Sequence, residues 1–236
     1  MSLDETASAL SSSQADNASG LAEVGTGSSA MRGTLNTLSE VPDAGAAYID
    51  KLIFLCDSTF IGLRDLSIVD TSQVWGTNSG SLPIGSASEA LIKFPNDGSE
   101  ISAANAAMVA KPEIMVIGIG TDGLANVDEQ TFEAQYNTLI RDIRLASPDT
   151  IIICCGLPSI AEEYSGKDGL SVTVVSDGND WVKNVCRDTG AYFLDVQEPL
   201  SESCQLLARF ASSNGKSLNR AGLQTFLEYL RTHAVQ

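Results

Sequence analysis

The chain has 236 residues, 43% of them hydrophobic, with a formal net charge of −16 and a pI near 4.2. That length suits one domain with a sizeable core rather than two full domains. The acidic balance argues against nucleic acid and anionic membranes as partners, and no stretch approaches the roughly 20 apolar residues of a membrane span.

Residues 1–42 are rich in Ser, Ala, Gly and Thr, lack aromatic residues and carry Arg32 as their only base. So little apolar surface cannot offset chain entropy, which predicts a flexible tether with only a few residues, near Leu35 to Val41, lying along the domain. The opening "MSLDETASAL" has no apolar region of the kind a signal peptide needs. From Ala46 onward the pattern changes. "KLIFLC", "EIMVIGIG", "TIIICCG" and "AYFLDV" are short, nearly continuous apolar runs rich in β-branched residues. Parallel strands covered on both faces read this way. "LIKFPNDGSEIS" reads as a small hairpin around Asn96-Asp97-Gly98. A helix is predicted over 128–147, with Phe132, Tyr136, Leu139, Ile140 and Ile143 on one face and Pro148 ending it. Asn219 is placed to cap a last helix whose buried stripe is Leu223, Phe226, Leu227 and Leu230. The alternation predicts a three-layer α/β/α sandwich with a mainly parallel sheet over 43–236.

Ligands in such sheets bind beyond the carboxyl ends of the strands, so the residues that follow each strand are the candidates. The first strand delivers Asp57-Ser58-Thr59, and the second delivers Trp75-Gly76-Thr77. The third delivers Gly120-Thr121-Asp122, the fourth Gly156-Leu157-Pro158, and the last loop is "SSNGKSLNRAGL". The five cysteines are an odd number, and Cys56, Cys154 and Cys155 lie in apolar runs where cysteine acts as a small hydrophobe. Neither a metal site nor a cofactor motif emerges, since Asp57, Asp122 and nearby acids have no clear ligand spacing.

In this order the blocks resemble the SGNH, or GDSL-type, hydrolase family over roughly residues 50 to 233. The resemblance implies a flavodoxin-like fold, a nucleophile at Ser58, and a small ester or carbohydrate O-acyl group as substrate. "VWGTNSGSL", "ASPDTIII" and "LNRAGLQTFLEYLRTHA" are similar to one branch of exported, surface-tethered proteins of Gram-positive bacteria, which implies an extracellular or cell-surface location. Asp57, Thr59, Trp75, Gly76, Thr77 and Gly120 are then expected to line the crevice, with Trp75 and Tyr164 at its rim. Several matched positions depart from the family pattern. The family's acid falls on Asn214, its catalytic histidine on Ser217, its oxyanion asparagine on Asp122, and its second-block glycine on Gly76 or Thr77. Cys56 replaces the glycine before Asp57.

Each departure has a chemical cost. A serine hydroxyl is a poor nucleophile without a base, and Ser217 has no basic lone pair. The single histidine, His233, is predicted some 20 Å away at the far end of the last helix. Asp122 as a carboxylate can only accept, so it would repel an oxyanion, unless burial raised its pKa enough to make it the base. The expectation is a family member with absent or weak activity. The alternative is a non-catalytic module holding a glycan or peptide in the old crevice.

Overall fold

A computed structural model describes residues 32–236. Its first half runs β1 (Asn36–Thr37), α1 (Ala46–Ile49), β2 (Leu52–Cys56), α2 (Gly62–Asp65), β3 (Val74–Trp75), β4 (Leu91–Lys93), β5 (Glu100–Ser102), α3 (Ala103–Ala110) and β6 (Ile114–Gly118). Then follow α4 (Glu129–Ala146), β7 (Ile151–Cys155), α5 (Val172–Thr189), β8 (Tyr192–Leu194), α6 (Gln197–Leu200), β9 (Ser201–Glu202), β10 (Gln205–Leu206) and α7 (Arg220–Thr232). Six strands form one sheet in the order β1-β8-β7-β6-β2-β3, and every neighbouring pair is parallel. The expected hairpin is present as the antiparallel pair β4/β5, and β9/β10 forms a second small ribbon.

Strand alternation divides the core between the two faces. Leu55, Met115, Ile117, Ile152, Cys154 and Phe193 point to one side, with the stripes of α4 and α5. Leu52, Phe54, Val116, Ile153, Cys155 and Leu194 point to the other, with Leu223, Phe226 and Leu230 of α7. In α4, Asp128 caps the helix by accepting from the Thr131 N–H, and Phe132, Tyr136, Leu139, Ile140 and Ile143 are all buried as expected. Each such side chain contributes about 1.5–3 kcal/mol by leaving water. Asn219 caps α7 through the Gly222 N–H. Helix α5, capped by Ser171 and ended by Gly190 at φ 70°, was not singled out from sequence. Its β-branched start "VTVV" and the internal Gly178 both lower helix propensity. Packing of Val175, Val182, Val185 and Cys186 overrides that preference.

Of the segment read as a tether, residues 1–31 lie outside the described residues. Those from 35 to 41 lie along the domain: β1 adds a strand beside β8, Leu38 N–H donates to Phe193 O and Val41 N–H to Thr232 O. The folded unit therefore starts ahead of residue 43. Backbone pairing holds this stretch, and Leu35, Leu38 and Val41 pack partly buried against the core.

The chain passes from β2 to β3 on one side, then crosses back to build β6, β7 and β8 on the other. Strand order thus reverses at β2/β6, and a crevice opens there beyond the carboxyl ends.

Candidate active site

Ser58 and Asp122 meet at that reversal. Ser58 follows β2 and Asp122 follows β6, and the Ser58 Oγ donates to Asp122 Oδ1 at 2.6 Å. Asp122 Oδ2 accepts the backbone N–H groups of Ser58 and Leu82, each at 3.1 Å. The Nζ of Lys216 donates to Asp122 Oδ1 at 2.6 Å, with the two side chains only 16% and 5% exposed. One carboxylate thus takes four donors. Burial alone would push its carboxyl upward. The hydrogen bonds from Lys216 and Ser58 and the charge of Lys216 outweigh burial and hold it below the usual carboxylate range. The exception allowed from sequence, burial raising Asp122 enough to make it the base, is not met: four donors stabilise the ionised form more than desolvation penalises it.

Asp57 is fully buried and sets this arrangement. Its Oδ2 accepts from the successive N–H groups of Gly120, Thr121 and Asp122 at 3.0–3.2 Å, and its Oδ1 accepts from Thr59 N–H at 2.9 Å. Gly120 supports this cradle at φ 126°, a conformation rarely open to other residues. Burial, then the neighbouring Asp122 carboxylate, push the Asp57 carboxyl up to about 6, against the pull of the Thr59 and Asp122 N–H groups. Asp57 does not reach a ligand, which corrects its placement among the binding residues: its acceptor positions are turned inward to the β6 loop.

Thr59 is corrected in the same way, because it is 1% exposed and its Oγ1 has no hydrogen-bond partner. Trp75 is also 1% exposed and packs edge-on against Phe94 with ring centroids 5.8 Å apart, so it offers no face at the rim. An aromatic ring just before a strand end was taken into the core because the hairpin folds over it. Gly76 permits close packing, since a Cβ there would lie 2.6 Å from Ile61 Cδ1. Thr77 braces its own loop by donating to Ser81 O. The second backbone donor at the site comes from Leu82, five residues beyond Thr77, and not from either residue expected. Tyr164 is buried, and its hydroxyl donates to Asp168 at 2.6 Å.

The two positions matched to the family's acid and base stay together in the loop before α7. Asn214 Nδ2 donates to Ser217 Oγ at 3.1 Å, and Asn214 Oδ1 accepts from Ser212 Oγ and from the N–H groups of Lys216 and Ser217. Leu218 N–H ties the loop to Thr59 O. The same turn aims Lys216, not Ser217, at Asp122. Lys216 is no match to the family pattern, yet it stands one residue before the expected imidazole and directly after the turn pair Asn214-Gly215. His233 caps the far end of α7, where its ring stacks on Tyr229 at 3.8 Å and Nδ1 lies 3.0 Å from Tyr229 O.

An open crevice of about 570 Å³ adjoins the cluster, lined by Ser81, Thr121, Asn126, Asp168 and Lys216 with Leu124 among the apolar residues. A larger cleft of about 730 Å³ lies between α1 and α7, and none of the site residues lines it. Among the described residues, no group of three or more His, Cys, Asp or Glu side chains is placed to hold a metal ion. All five cysteines are free thiols and four are buried. Among the described residues, no helix is long and apolar enough to cross a membrane.

A parallel α/β/α sandwich with a serine at the strand-order reversal is the architecture of the GDSL hydrolases. The sequence model of the GDSL-like Lipase/Acylhydrolase family matches residues 92–224, more than half of the chain, and the chain belongs to that family. The match contains Asp122 and Lys216 and starts downstream of Ser58. No curated protein matches the chain. Among solved structures, a candidate platelet activating factor from Streptococcus pneumonia is similar with a TM-score of 0.58 and 16% identity, covering 77% of this chain and 82% of that one. A GDSL-like lipase candidate from Parabacteroides merdae gives a TM-score of 0.52 and 12% identity, covering 86% of this chain and 98% of that one. A carbohydrate esterase family 3 protein from Talaromyces cellulolyticus follows with a TM-score of 0.49 and 13% identity, covering 76% and 92%. For the first two, at 16% and 12% identity, the likeness concerns the fold alone.

Proposed function

We propose that this chain is a GDSL-type domain without appreciable ester turnover at neutral pH, whose former active-site crevice holds a polar ligand such as a glycan. The observation that carries this reading is the state of Ser58. Among the described residues, the hydrogen-bond acceptor of its Oγ is the Asp122 carboxylate, which is bound by Lys216 and held below the usual carboxylate range. Such a carboxylate is a weak base. Nucleophilic serine needs a group that takes its proton during attack, and loss of the base in serine hydrolases removes up to about a millionfold in turnover.

The second support is electrostatic. The Ser58 backbone N–H is the kind of donor that stabilises a tetrahedral oxyanion, and here it is engaged by a negative side chain. An oxyanion formed beside it would meet a like charge. The crevice next to the cluster offers hydroxyl, amide, carboxylate and ammonium groups on an apolar floor, which fits a hydroxyl-rich ligand better than a lipid chain. By the same reading the protein works outside the cell, where such ligands are displayed.

The test compares wild type with Ser58→Ala on a panel of acetyl esters at pH 7, with a titration of neutral oligosaccharides followed by amide chemical shifts. Equal rates for the two proteins, with shifts confined to Thr121, Asn126 and Asp168, are expected. Turnover by wild type well above the variant would end the reading of a silent hydrolase.

A further inference from the structure

We propose that Ser58 and Lys216 form a latent acyl-transfer pair that the Asp122 carboxylate holds shut. The inference rests on the reading that wild type is silent at neutral pH, and it goes beyond it by naming what silences the site. Ser58 Oγ and Lys216 Nζ both donate to the same oxygen, Asp122 Oδ1, each at 2.6 Å. The hydroxyl and the amine nitrogen are therefore neighbours, held apart by one carboxylate oxygen. The other oxygen, Oδ2, lies on the N–H groups of Ser58 and Leu82. Two convergent backbone N–H groups beside a serine are what an oxyanion hole consists of. Asp122 thus fills the hole with its own negative charge and takes the hydrogen bonds of both reactive groups.

Lys216 is held firmly enough to serve. Its backbone N–H donates to Asn214 Oδ1 at 2.8 Å, Gly215 O accepts from Ala161 N–H, and a Cβ on Gly215 would lie 3.0 Å from Tyr164 Cβ. The titratable groups facing it are Asp122 in contact, Asp57 behind Asp122, Asp168 across the crevice, and Tyr164 and Glu163 against the Gly215 turn. Every one of them is acidic. Paired with Asp122 as an ammonium donor, the Lys216 nitrogen has no lone pair with which to accept a proton.

With the carboxylate gone, the chemistry closes on this chain's own atoms. A neutral Nζ takes the Ser58 hydroxyl proton as Oγ bonds to the acyl carbon of an ester, and the carbonyl electron pair moves to oxygen opposite the Ser58 and Leu82 N–H groups. Collapse breaks the bond to the leaving alkoxide, which takes the proton from Nζ. Water repeats the sequence on acyl-Ser58 and releases the carboxylic acid. Serine with a lysine base is a known solution on other folds.

Asp122→Asn in the full chain tests the proposal, with 4-nitrophenyl acetate as the probe from pH 7 to 10. The variant is expected to exceed its Asp122→Asn/Ser58→Ala and Asp122→Asn/Lys216→Met derivatives by tenfold or more, with turnover rising as pH rises. Lys216→Arg, which stays charged throughout, is expected not to substitute. Should the amide variant fail to fold, Asp122→Gly opens the same donors and is read in the same way. A folded variant no faster than its Ser58→Ala derivative, or one whose turnover survives Lys216→Met, overturns the proposal. Ser58-dependent turnover by wild type at pH 7 would instead overturn the reading of a silent hydrolase, so the two failures are separable.

Discussion

Asp57 holds Asp122 by its backbone: Asp57 Oδ2 accepts the Asp122 N–H at 3.2 Å while the Asp122 side chain reaches away to Ser58. The residue before the serine is thus a positioning residue. It accepts three N–H groups of the β6 loop on one oxygen and fixes where Asp122 can point. Asp57→Ala leaves four buried N–H donors without that acceptor. A loss of about 2–4 kcal/mol in urea unfolding is expected, and the amide signals of 120–122 should shift and broaden.

The two carboxylates respond to pH in opposite senses. Asp57 is raised to about 6 in the folded chain, so its titration favours folding below about pH 4, and that contribution is lost as pH rises through 6. Asp122 is lowered, so its contribution is present above the usual aspartate range and is lost as pH falls through its depressed value. Wild type should lose stability relative to Asp57→Asn between pH 4 and 7. Carboxyl ¹³C shifts should place the Asp57 midpoint near 6 and that of Asp122 below the ordinary aspartate range. A common midpoint for both would contradict this assignment.

Gly118 ends β6 against the ring of Phe60, where an added Cβ would lie 2.7 Å from Phe60 Cδ2. Phe60 in turn packs on Phe226 of α7 with centroids 4.9 Å apart, just two residues after Ser58. Gly118→Ala should cost about 1–3 kcal/mol by overpacking and move the Ser58 turn. Thermal unfolding and the Ser58 amide shift report the two effects.

The parallel sheet was readable because strands covered on both faces show as continuous apolar runs, and β2, β6, β7 and β8 fall on those read from sequence. The stripes of α4 and α7 were readable from their period, although Leu227 of α7 is only partly buried, and Asn219 was readable as the cap of α7. β1 was less so, since Asn36 and Thr37 carry no apolar signal and their place is set by hydrogen bonds to β8. At the site, Ser58 and Asp122 were found from strand ends, because topology brings successive carboxyl ends together. Lys216 was not, because the register of the family pattern falls on Ser217. A lysine side chain spans the one-residue offset that sequence matching treats as a miss. Leu82 could not be found either, since its contribution is a backbone N–H that no residue type advertises.

Asn214 places Lys216 through three donors on its Oδ1. Asn214→Ala should cost about 1–2 kcal/mol and free the lysine side chain. Faster modification of Lys216 by trinitrobenzenesulfonate, read by peptide mass, is expected. An unchanged rate would mean that the Asp122 ion pair alone holds Nζ in place.

The most direct test of a Ser58 hydroxyl without an effective base is its reaction with an alkyl fluorophosphonate at pH 7, followed by intact mass. This reading predicts no adduct on wild type over the time in which an active serine hydrolase is labelled completely. A single adduct that forms rapidly and disappears in Ser58→Ala would contradict it.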